Sequence, residues 1–413
     1  MRDASMRMIV FCRESFPTTR VDIDILLGAE LAGRLGHEID FVMQAGSKDI
    51  HPGPHLWYGR TVWVGPTDDG RGVIRRLRKY LSSVWHDLCV LFSVSRGRYQ
   101  AIQVRDKFLT GVIAAMVARI RGLRFFYWLS FPIPESRMAR AREGNARYPV
   151  LTYLRGTLSG HLLYRIILPL SDHVFVQSQQ MKEDVCSHGI GMEKVTPVPM
   201  GVALRDIGGF RSPADPQPDR PNGDLVLAYL GTLNPQRHLE ILVDMLRIVR
   251  DRGIAARLVF IGGGDDPQDS ERLLLRAREQ GVSQYVQVTG LLPRDEALRR
   301  VRAADVGLSP FYPTPILRST SPTKLVEYLA VGMPVIANDH PEQRRVLEEC
   351  RAGLCVPWGA RHFARAVVWL ARRSETERSS MGERGRQWVL ENRTYPRIAE
   401  AVERCYGRIL RNE

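Results

Sequence analysis

Lys324 and Glu327 are the two side chains whose types and spacing point most directly to chemistry. They lie three residues apart within 319–338, S-T-S-P-T-K-L-V-E-Y-L-A-V-G-M-P-V-I-A-N. That stretch reads as a loop, a helix and the start of a strand. Ser321 is expected to cap the helix by accepting from an orphan amide of its first turn. Pro322 suits the first helical position, where its missing N–H costs nothing. Gly332 reads as the left-handed terminator, and Pro334 prevents resumption of the helix. Residues 335–337 then read as a short buried strand. A helix N-terminus presents free amides and a partial positive charge, and so attracts anions. Residues three apart on a helix face the same way. A cation and a carboxylate placed there suit a nucleotide sugar, with Lys324 toward the diphosphate and Glu327 toward ribose hydroxyls. Taken alone, the pair is equally readable as solvated charges on a capped helix.

A second cationic loop supports the ligand reading. Residues 231–237 (G-T-L-N-P-Q-R) follow an apolar strand. Gly231 permits close backbone approach to a phosphate, beside Thr232. Arg237 can fork onto phosphate oxygens, although an isolated arginine more often lies on the surface. Paired with Lys324, it would neutralise a leaving nucleoside diphosphate without a metal, by electrostatic stabilisation of developing charge. Gly262-Gly263-Gly264 also follows a strand and invites a dinucleotide reading. The full G-x-G-x-x-G pattern fails at Pro267.

Alternating strands and helices must position these groups. Residues 8–11 form an apolar strand. Ile23, Leu26, Leu27, Leu31 and Leu35 recur at helical spacing, Gly36-His37 ends that helix, and 39–43 begins the next strand. This is a βαβ opening. Strands follow at 99–104, 125–129 and 174–178, with a helix over 111–121, and 195–201 closes the first half. Residues 205–224 contain four prolines and three glycines and read as a linker. A second half then starts, with strands at 225–230, 258–261, 286–288 and 305–308, a helix over 239–248, and a mostly helical tail over 375–411. Two such doubly wound halves place ligands at the carboxyl ends of their strands.

The length of 413 residues favours two or three domains. Hydrophobic residues at 44% and charged residues at 25% are ordinary for a soluble globular chain. Uncharged runs such as 306–317 fall short of the about 20 residues of a membrane-spanning helix. Residues 1–5 lead into a strand rather than a signal-peptide core, so no export signal is expected. The six cysteines (Cys12, Cys89, Cys186, Cys350, Cys355, Cys405) show no metal spacing and suggest free thiols in a reducing cytoplasm. No metal site is expected.

A net charge of +14 calls for an anionic partner. No zinc spacing or aromatic RNA-recognition strand points to nucleic acid. Residues 71–88 point to membrane instead. Arg71, Arg75, Arg76, Arg78 and Lys79 cluster there, while Ile74, Leu77, Leu81, Val84, Trp85 and Leu88 fall at helical spacing. A basic amphipathic helix with a tryptophan can lie in an anionic bilayer interface; the same stripe can also pack on a core. Residues 137–165 mix cations with Tyr148, Tyr153, Leu162, Leu163 and Tyr164 and could cover an acceptor site.

The pattern S-P-x-K-x-x-E-Y-L-A-x-G-x-P-V, in 321–335, resembles the donor-binding signature of the family 4 glycosyltransferases, retaining enzymes of the GT-B fold. Residues 31–39 (L-A-G-R-L-G-H-E-I) are similar to that family's opening. D-x-V-F-V-Q-S and V-P-M-G-V look like the end of its N-terminal domain. The resemblance implies an α/β GT-B architecture of two Rossmann-like doubly wound domains facing an interdomain cleft. The expected division is 1–204 for acceptor binding, 205–224 as linker, 225–385 for nucleotide-sugar binding, and 386–413 as a C-terminal helix returning to the first domain.

The chain also departs from the family pattern. Thr232 replaces the usual arginine. Of the family's two glutamates eight positions apart, the second matches Glu327 and the first falls on Ser319. Ser319, Thr320 or backbone amides near Ser321 would then contact the donor sugar. The histidine that many relatives carry after the strand at 125–130 is absent, leaving Ser130 or the loop 131–135 to line the cleft. No general base is assigned. Glu135, Asp106 and Ser130 are the candidates, and both carboxylates also read as caps or solvated charges. In the family, the leaving phosphate is thought to help deprotonate the acceptor.

The implied function is retaining, metal-independent transfer of a hexose from a nucleoside diphosphate sugar to a hydroxyl of a lipid-linked saccharide in surface polysaccharide synthesis. The nucleotide sugar would be co-substrate and no cofactor is expected. The location implied is cytoplasmic, peripheral on the inner face of the membrane, with Arg75, Arg76, Arg78, Lys79 and Trp85 on the membrane or acceptor side. The alternatives are a nucleotide-sugar epimerase on the same fold and a non-catalytic nucleotide-sugar-binding protein.

Overall fold

A computed structural model describes residues 5–67, 73–207, 223–264 and 266–411, with the side chains of 73–77 left aside. The chain divides into two compact units, Met1–Pro199 with Tyr395–Glu413, and Met200–Thr394. The first division comes ahead of the expected linker, most of which (208–222) lies outside the described residues. The reason is local bonding. Met200 N donates to Ser321 Oγ (3.0 Å), Val202 N donates to the Arg393 carbonyl (2.9 Å), and Arg294 holds Asp206 (2.8 Å). These bonds tie 200–206 to the second unit. The expected boundary at 385/386 falls inside the helix Glu375–Asn392, and the second division follows that helix.

Unit 1 is built on eight strands: β1 (Arg7–Phe16), β2 (Glu38–Ala45), β3 (Gly53–Trp57), β4 (Arg60–Gly65), β5 (Ala101–Arg105), β6 (Arg124–Leu129), β7 (His173–Val176) and β8 (Val195–Pro197). Their order is β3-β4-β2-β1-β5-β6-β7-β8. Neighbours run parallel except in the β3–β4 hairpin. The inner strands are largely apolar, as a parallel sheet covered on both faces requires, with Gln103 and Arg105 of β5 as buried exceptions. The hairpin escaped the sequence reading because its turn, Tyr58-Gly59, puts a tyrosine at φ 51°, a position that turn chemistry assigns to Gly, Asn or Asp. The helix after β1, Asp22–Arg34, is wound in π register, and Leu35 N donates to Glu30 O five residues back.

The helix Tyr395–Arg411 packs on unit 1. Tyr406 is fully buried; its hydroxyl donates to Gln103 Oε1, and its ring meets Phe126 and Phe175 edge-on at 5.0 and 4.9 Å. His37 Nε2 and Glu403 Oε1 lie 2.8 Å apart.

Unit 2 has six parallel strands: β9 (Leu225–Leu230), β10 (Ala256–Ile261), β11 (Val286–Val288), β12 (Val306–Ser309), β13 (Val335–Asn338) and β14 (Gly353–Val356). Their order is β11-β10-β9-β12-β13-β14. This is a doubly wound sheet whose winding reverses between β9 and β12; in unit 1 the reversal falls between β1 and β5.

Tyr406→Ala is expected to cost unit 1 roughly 3 kcal/mol through the cavity it leaves. Tyr406→Phe keeps the ring contacts and should cost about 1 kcal/mol through the lost hydrogen bond. Urea unfolding of the full chain checks both values.

Candidate functional site

Where the winding reverses, the loops leaving the two central strands diverge and open a crevice at the strands' carboxyl ends. In unit 2 these loops follow β9 and β12. Gly231 adopts φ 135°, which favours glycine. Its N–H donates to Ile261 O (3.0 Å), and Gly262 (φ 144°) crosses it so closely that a Cβ on Gly262 would overlap the Gly231 carbonyl. A Cβ on Gly231 itself would stand 3.5 Å from Lys324 Nζ. Such a Cβ would make an ordinary contact with the ammonium, so it is the backbone conformation that calls for glycine here. Gly264 packs against Asp269, whose carboxylate belongs to the capping box of the helix Pro267–Glu279. At least two of the three consecutive glycines thus serve close backbone packing.

Lys324 is only 7% exposed. Its Nζ lies 4.0 Å from the Tyr229 ring centre and 5.3 Å from that of Phe311. Among the described residues it has no carboxylate within 4.0 Å. Burial pushes its pKa well below the ordinary lysine value, Arg237 adds to the shift, and Glu327 opposes it. The Arg237 guanidinium sits 5.8 Å from the Phe311 ring centre and likewise has no carboxylate partner among the described residues. The structure thus brings Gly231, Arg237 and Lys324 together around two aromatic rings. Thr232 is exposed, and its carbonyl accepts from the Tyr229 hydroxyl (3.0 Å).

The helix carrying Lys324 runs Thr323–Ala330. Ser321 does not cap it. Its Oγ accepts from Met200 N, while Pro322 occupies the N-cap in extended conformation with no capping side chain. The helix ends as expected at Gly332 (φ 75°), with Met333 N donating back to Tyr328 O (3.1 Å). Tyr328 has a positioning role. Its hydroxyl accepts from Leu230 N (2.6 Å) and donates to Leu308 O (3.2 Å), joining the ends of β9 and β12 at the reversal. A Cβ on Gly307 would overlap its ring.

Glu327 is not a solvated charge. Its Oε1 accepts from Arg294 (2.9 Å), which also holds Asp206. Ser319 and Thr320 are buried. Thr320 Oγ1 donates to Leu317 O (2.6 Å), and His340 Nε2 meets the same carbonyl (2.8 Å). That bond assigns the proton to Nε2 and leaves Nδ1 as a buried acceptor with no hydrogen-bond partner. Burial lowers the His340 pKa. Tyr229, Arg294, Phe311 and His340 were not legible as site residues, since each stands at an unremarkable spacing from Lys324.

Unit 1 assembles a second cluster at its own reversal. Arg105 ends β5 and is fully buried. Its guanidinium lies 2.6 Å from Asp22, 3.5 Å from Glu14 and 3.8 Å from Asp106. Ser130, just past β6, donates to Asp106 through its N–H (3.0 Å) and its hydroxyl. Asp106 adopts φ 53°, a conformation that costs a non-glycine residue about 1 kcal/mol or more. Burial raises its pKa, while Arg105 and Ser130 oppose the rise. Asp106 is therefore neither a helix cap nor a solvated charge. Glu135 bonds elsewhere, its Oε1 accepting from the Tyr164 hydroxyl (2.7 Å). Glu14 and Asp22 carried no motif that would have identified them.

The basic helix of unit 1 runs Val73–Ser93. Its apolar side chains divide between two faces rather than forming one stripe. Val90 and Leu91 enter the core, beside Asp87, which receives Lys107 and Thr110. Leu81, Trp85 and Phe92 face outward at 57%, 69% and 60% exposure, with Arg78 and Lys79 exposed nearby in sequence. The side chains of Arg75 and Arg76 lie outside the described residues. Among the described residues, no helix is long and apolar enough to cross a membrane and no group of three His, Cys, Asp or Glu could hold a metal ion.

The Lys324 geometry predicts a definite pH dependence. Between its lowered folded pKa and its ordinary unfolded value, the unfolded chain binds one more proton, so stability rises with pH across that window. Lys324→Met should remove that rise and leave the ligand-free protein at least as stable as wild type at neutral pH. Denaturant unfolding at several pH values reads both effects.

Residues 224–373 match the family described as "Glycosyl transferases group 1". The chain is 27% identical over 226 residues to the D-inositol 3-phosphate glycosyltransferase of Nocardia farcinica, covering 53% of this chain and 47% of that protein. It is 30% identical over 146 residues to the phosphatidyl-myo-inositol mannosyltransferase of Mycobacterium leprae, covering 35% and 36%. The chain thus spans about half or less of the length of these curated relatives. Among solved structures, Anabaena HepE in complex with UDP superposes with TM-score 0.70 at 14% identity, covering 97% of this chain and 99% of that one. Sucrose-phosphate synthase from Thermosynechococcus elongatus superposes with TM-score 0.70 at 18% identity, covering 98% and 100%. The second unit thus carries a domain that matches the glycosyl transferases group 1, and the chain has the GT-B fold.

Proposed function

We propose that the protein transfers a hexose from a nucleoside diphosphate sugar to a hydroxyl of a saccharide acceptor. The observation that carries this reading is Lys324, a buried ammonium beside Arg237 with no carboxylate partner among the described residues, at the reversal of unit 2. A diphosphate supplies the missing anion. In the reaction the bond from the sugar's anomeric carbon to the diphosphate breaks and a bond to the acceptor oxygen forms. The acceptor proton passes to the leaving phosphate, and Lys324 and Arg237 stabilise the charge that develops there. The uncapped amides of the helix Thr323–Ala330 add a partial positive charge. Glu327, fixed by Arg294, keeps an oxygen for ribose hydroxyls. Thr320 and its buried neighbour Ser319 would border the sugar. The UDP bound to Anabaena HepE supports a nucleotide donor on this fold.

Retention of anomeric configuration and independence from metal are part of the proposal. Two side-chain cations would take over the charge neutralisation that a metal otherwise supplies. The Asp106–Ser130 cluster would face the acceptor. We assign a lipid-linked acceptor, with the protein held peripherally on an anionic membrane. Leu81, Trp85 and Phe92 on the outer face of a basic helix support this, as does the membrane-lipid acceptor in the name of the M. leprae mannosyltransferase.

A thermal-shift screen of UDP, GDP, ADP and their sugar conjugates tests the donor site. One nucleotide family is expected to stabilise the native state through mass action, by about 2.7 kcal/mol at one hundred times Kd, and so to raise the melting temperature. Lys324→Met and Arg237→Ala should abolish that shift, and Lys324→Met should lower kcat/KM roughly 100-fold or more. No shift with any nucleotide at millimolar concentration would overturn the reading. Trp85→Ser is expected to weaken co-sedimentation with phosphatidylglycerol vesicles about tenfold; unchanged sedimentation would remove the membrane assignment.

A further inference from the structure

At the amino-terminal edge of unit 1's sheet, the edge opposite the Asp106 cluster, a cavity of about 800 Å³ opens among the segments that enter β1, β5, β6, β7 and β8. Five cations line it: Arg7, Arg96, Arg119, Arg124 and Lys194. Asp172 is the one carboxylate among its lining residues. Arg124 is already committed to Asp172 (2.7 Å), whose other oxygen accepts from Phe125 N (2.8 Å). Arg7 donates to the Gly97 carbonyl (2.8 Å) and has no carboxylate partner among the described residues. Arg96, Arg119 and Lys194 likewise have no carboxylate within 4.0 Å among the described residues. Four positive charges therefore line one concave space with no carboxylate paired to them among the described residues.

Helix electrostatics explain part of this. Arg119 lies in the last turn of the helix Phe108–Arg121, where a cation complements the negative end of the dipole. Lys194 closes the short 3-10 turn Met192–Lys194, Arg7 opens β1, and Arg96 lies in the loop between the helix Val73–Ser93 and β5. Gly122 follows that helix at φ 64°, and a Cβ there would lie 3.3 Å from Arg96 Nη1, so the glycine keeps room for the guanidinium at the rim. Like charges around a concave wall repel when it is empty and focus the field on an incoming anion. Guanidinium forks match phosphate oxygens in geometry.

We propose that this cavity binds a phosphoryl-bearing anion, at a site separate from the Lys324 site of unit 2. The phosphoryl group can belong to a soluble phosphorylated compound or to a phospholipid headgroup.

Hydrogen–deuterium exchange of the full chain with inorganic pyrophosphate tests it. Segments 94–100 and 119–125 are expected to gain protection. Lys324→Met should leave that protection intact, which separates it from any binding in unit 2. The double variant Arg96→Glu/Arg119→Glu changes two exposed side chains and should weaken the protection about tenfold or more. Phosphatidylglycerol and phosphatidylcholine vesicles form the second arm. Protection of the same segments by phosphatidylglycerol vesicles, competed by pyrophosphate, supports the headgroup source; protection by pyrophosphate alone supports the soluble source. Absence of protection with every probe, or protection undiminished in the double variant, overturns the proposal.

Discussion

A lysine ammonium buried without a carboxylate is costly in the empty protein, and unit 2 is organised around sustaining one. Tyr229 and Phe311 place aromatic faces near Nζ, giving partial compensation for lost water. The Tyr229 hydroxyl is satisfied by the Thr232 carbonyl, and Phe311 is locked by Asn338, whose side chain bonds both its N–H and its carbonyl. Tyr328 holds the ends of β9 and β12, the strands from which the flanking loops depart. Gly231 lies beside the ammonium in a backbone conformation, φ 135°, that favours glycine. An anion entering this loop would relieve the repulsion between Lys324 and Arg237 and favour the charged form of the lysine. Binding energy at this site therefore draws on strain already present in the free protein.

Unit 1 uses the same topological device with the opposite sign. At its reversal one buried arginine is surrounded by Glu14, Asp22 and Asp106. This cluster suits hydroxyl groups rather than phosphates, since carboxylates accept hydrogen bonds from them. The strained backbone at Asp106, held by two bonds from Ser130, fits a residue kept in place for function rather than stability. Under the proposed function, the two units would divide the chemistry between a cationic crevice for a leaving diphosphate and an acidic crevice for an attacking hydroxyl.

The excess positive charge of the chain is not spread evenly. Part lies on the exposed face of the helix Val73–Ser93 with Trp85, and part lines the cavity at the far edge of unit 1's sheet. The cavity lies at the edge of the sheet opposite the acidic cluster, so its cations are not set against those carboxylates.

Much of the fold was legible in the sequence, because doubly wound sheets write themselves as apolar runs separated by helical periodicity and glycine turns. The helix around Lys324, its Gly332 terminator and the start of β13 were readable for that reason. Lys324, Arg237 and Gly231 were recognisable because cations and a glycine next to strand ends carry their own chemistry. Spacing could not reveal side chains that meet only through the winding of the sheet. Tyr229 and Phe311 come from different strand ends, Arg294 reaches Glu327 from another helix, and Glu14, Asp22 and Arg105 converge from three segments. Ser321 shows the same limit: its type and position suit a helix cap, yet Met200 N competes for its oxygen from far away in the chain. Local sequence determined which elements form and which residues could act. The tertiary structure decided which of them share a crevice, because burial and pairing depend on neighbours that only the closed sheet supplies.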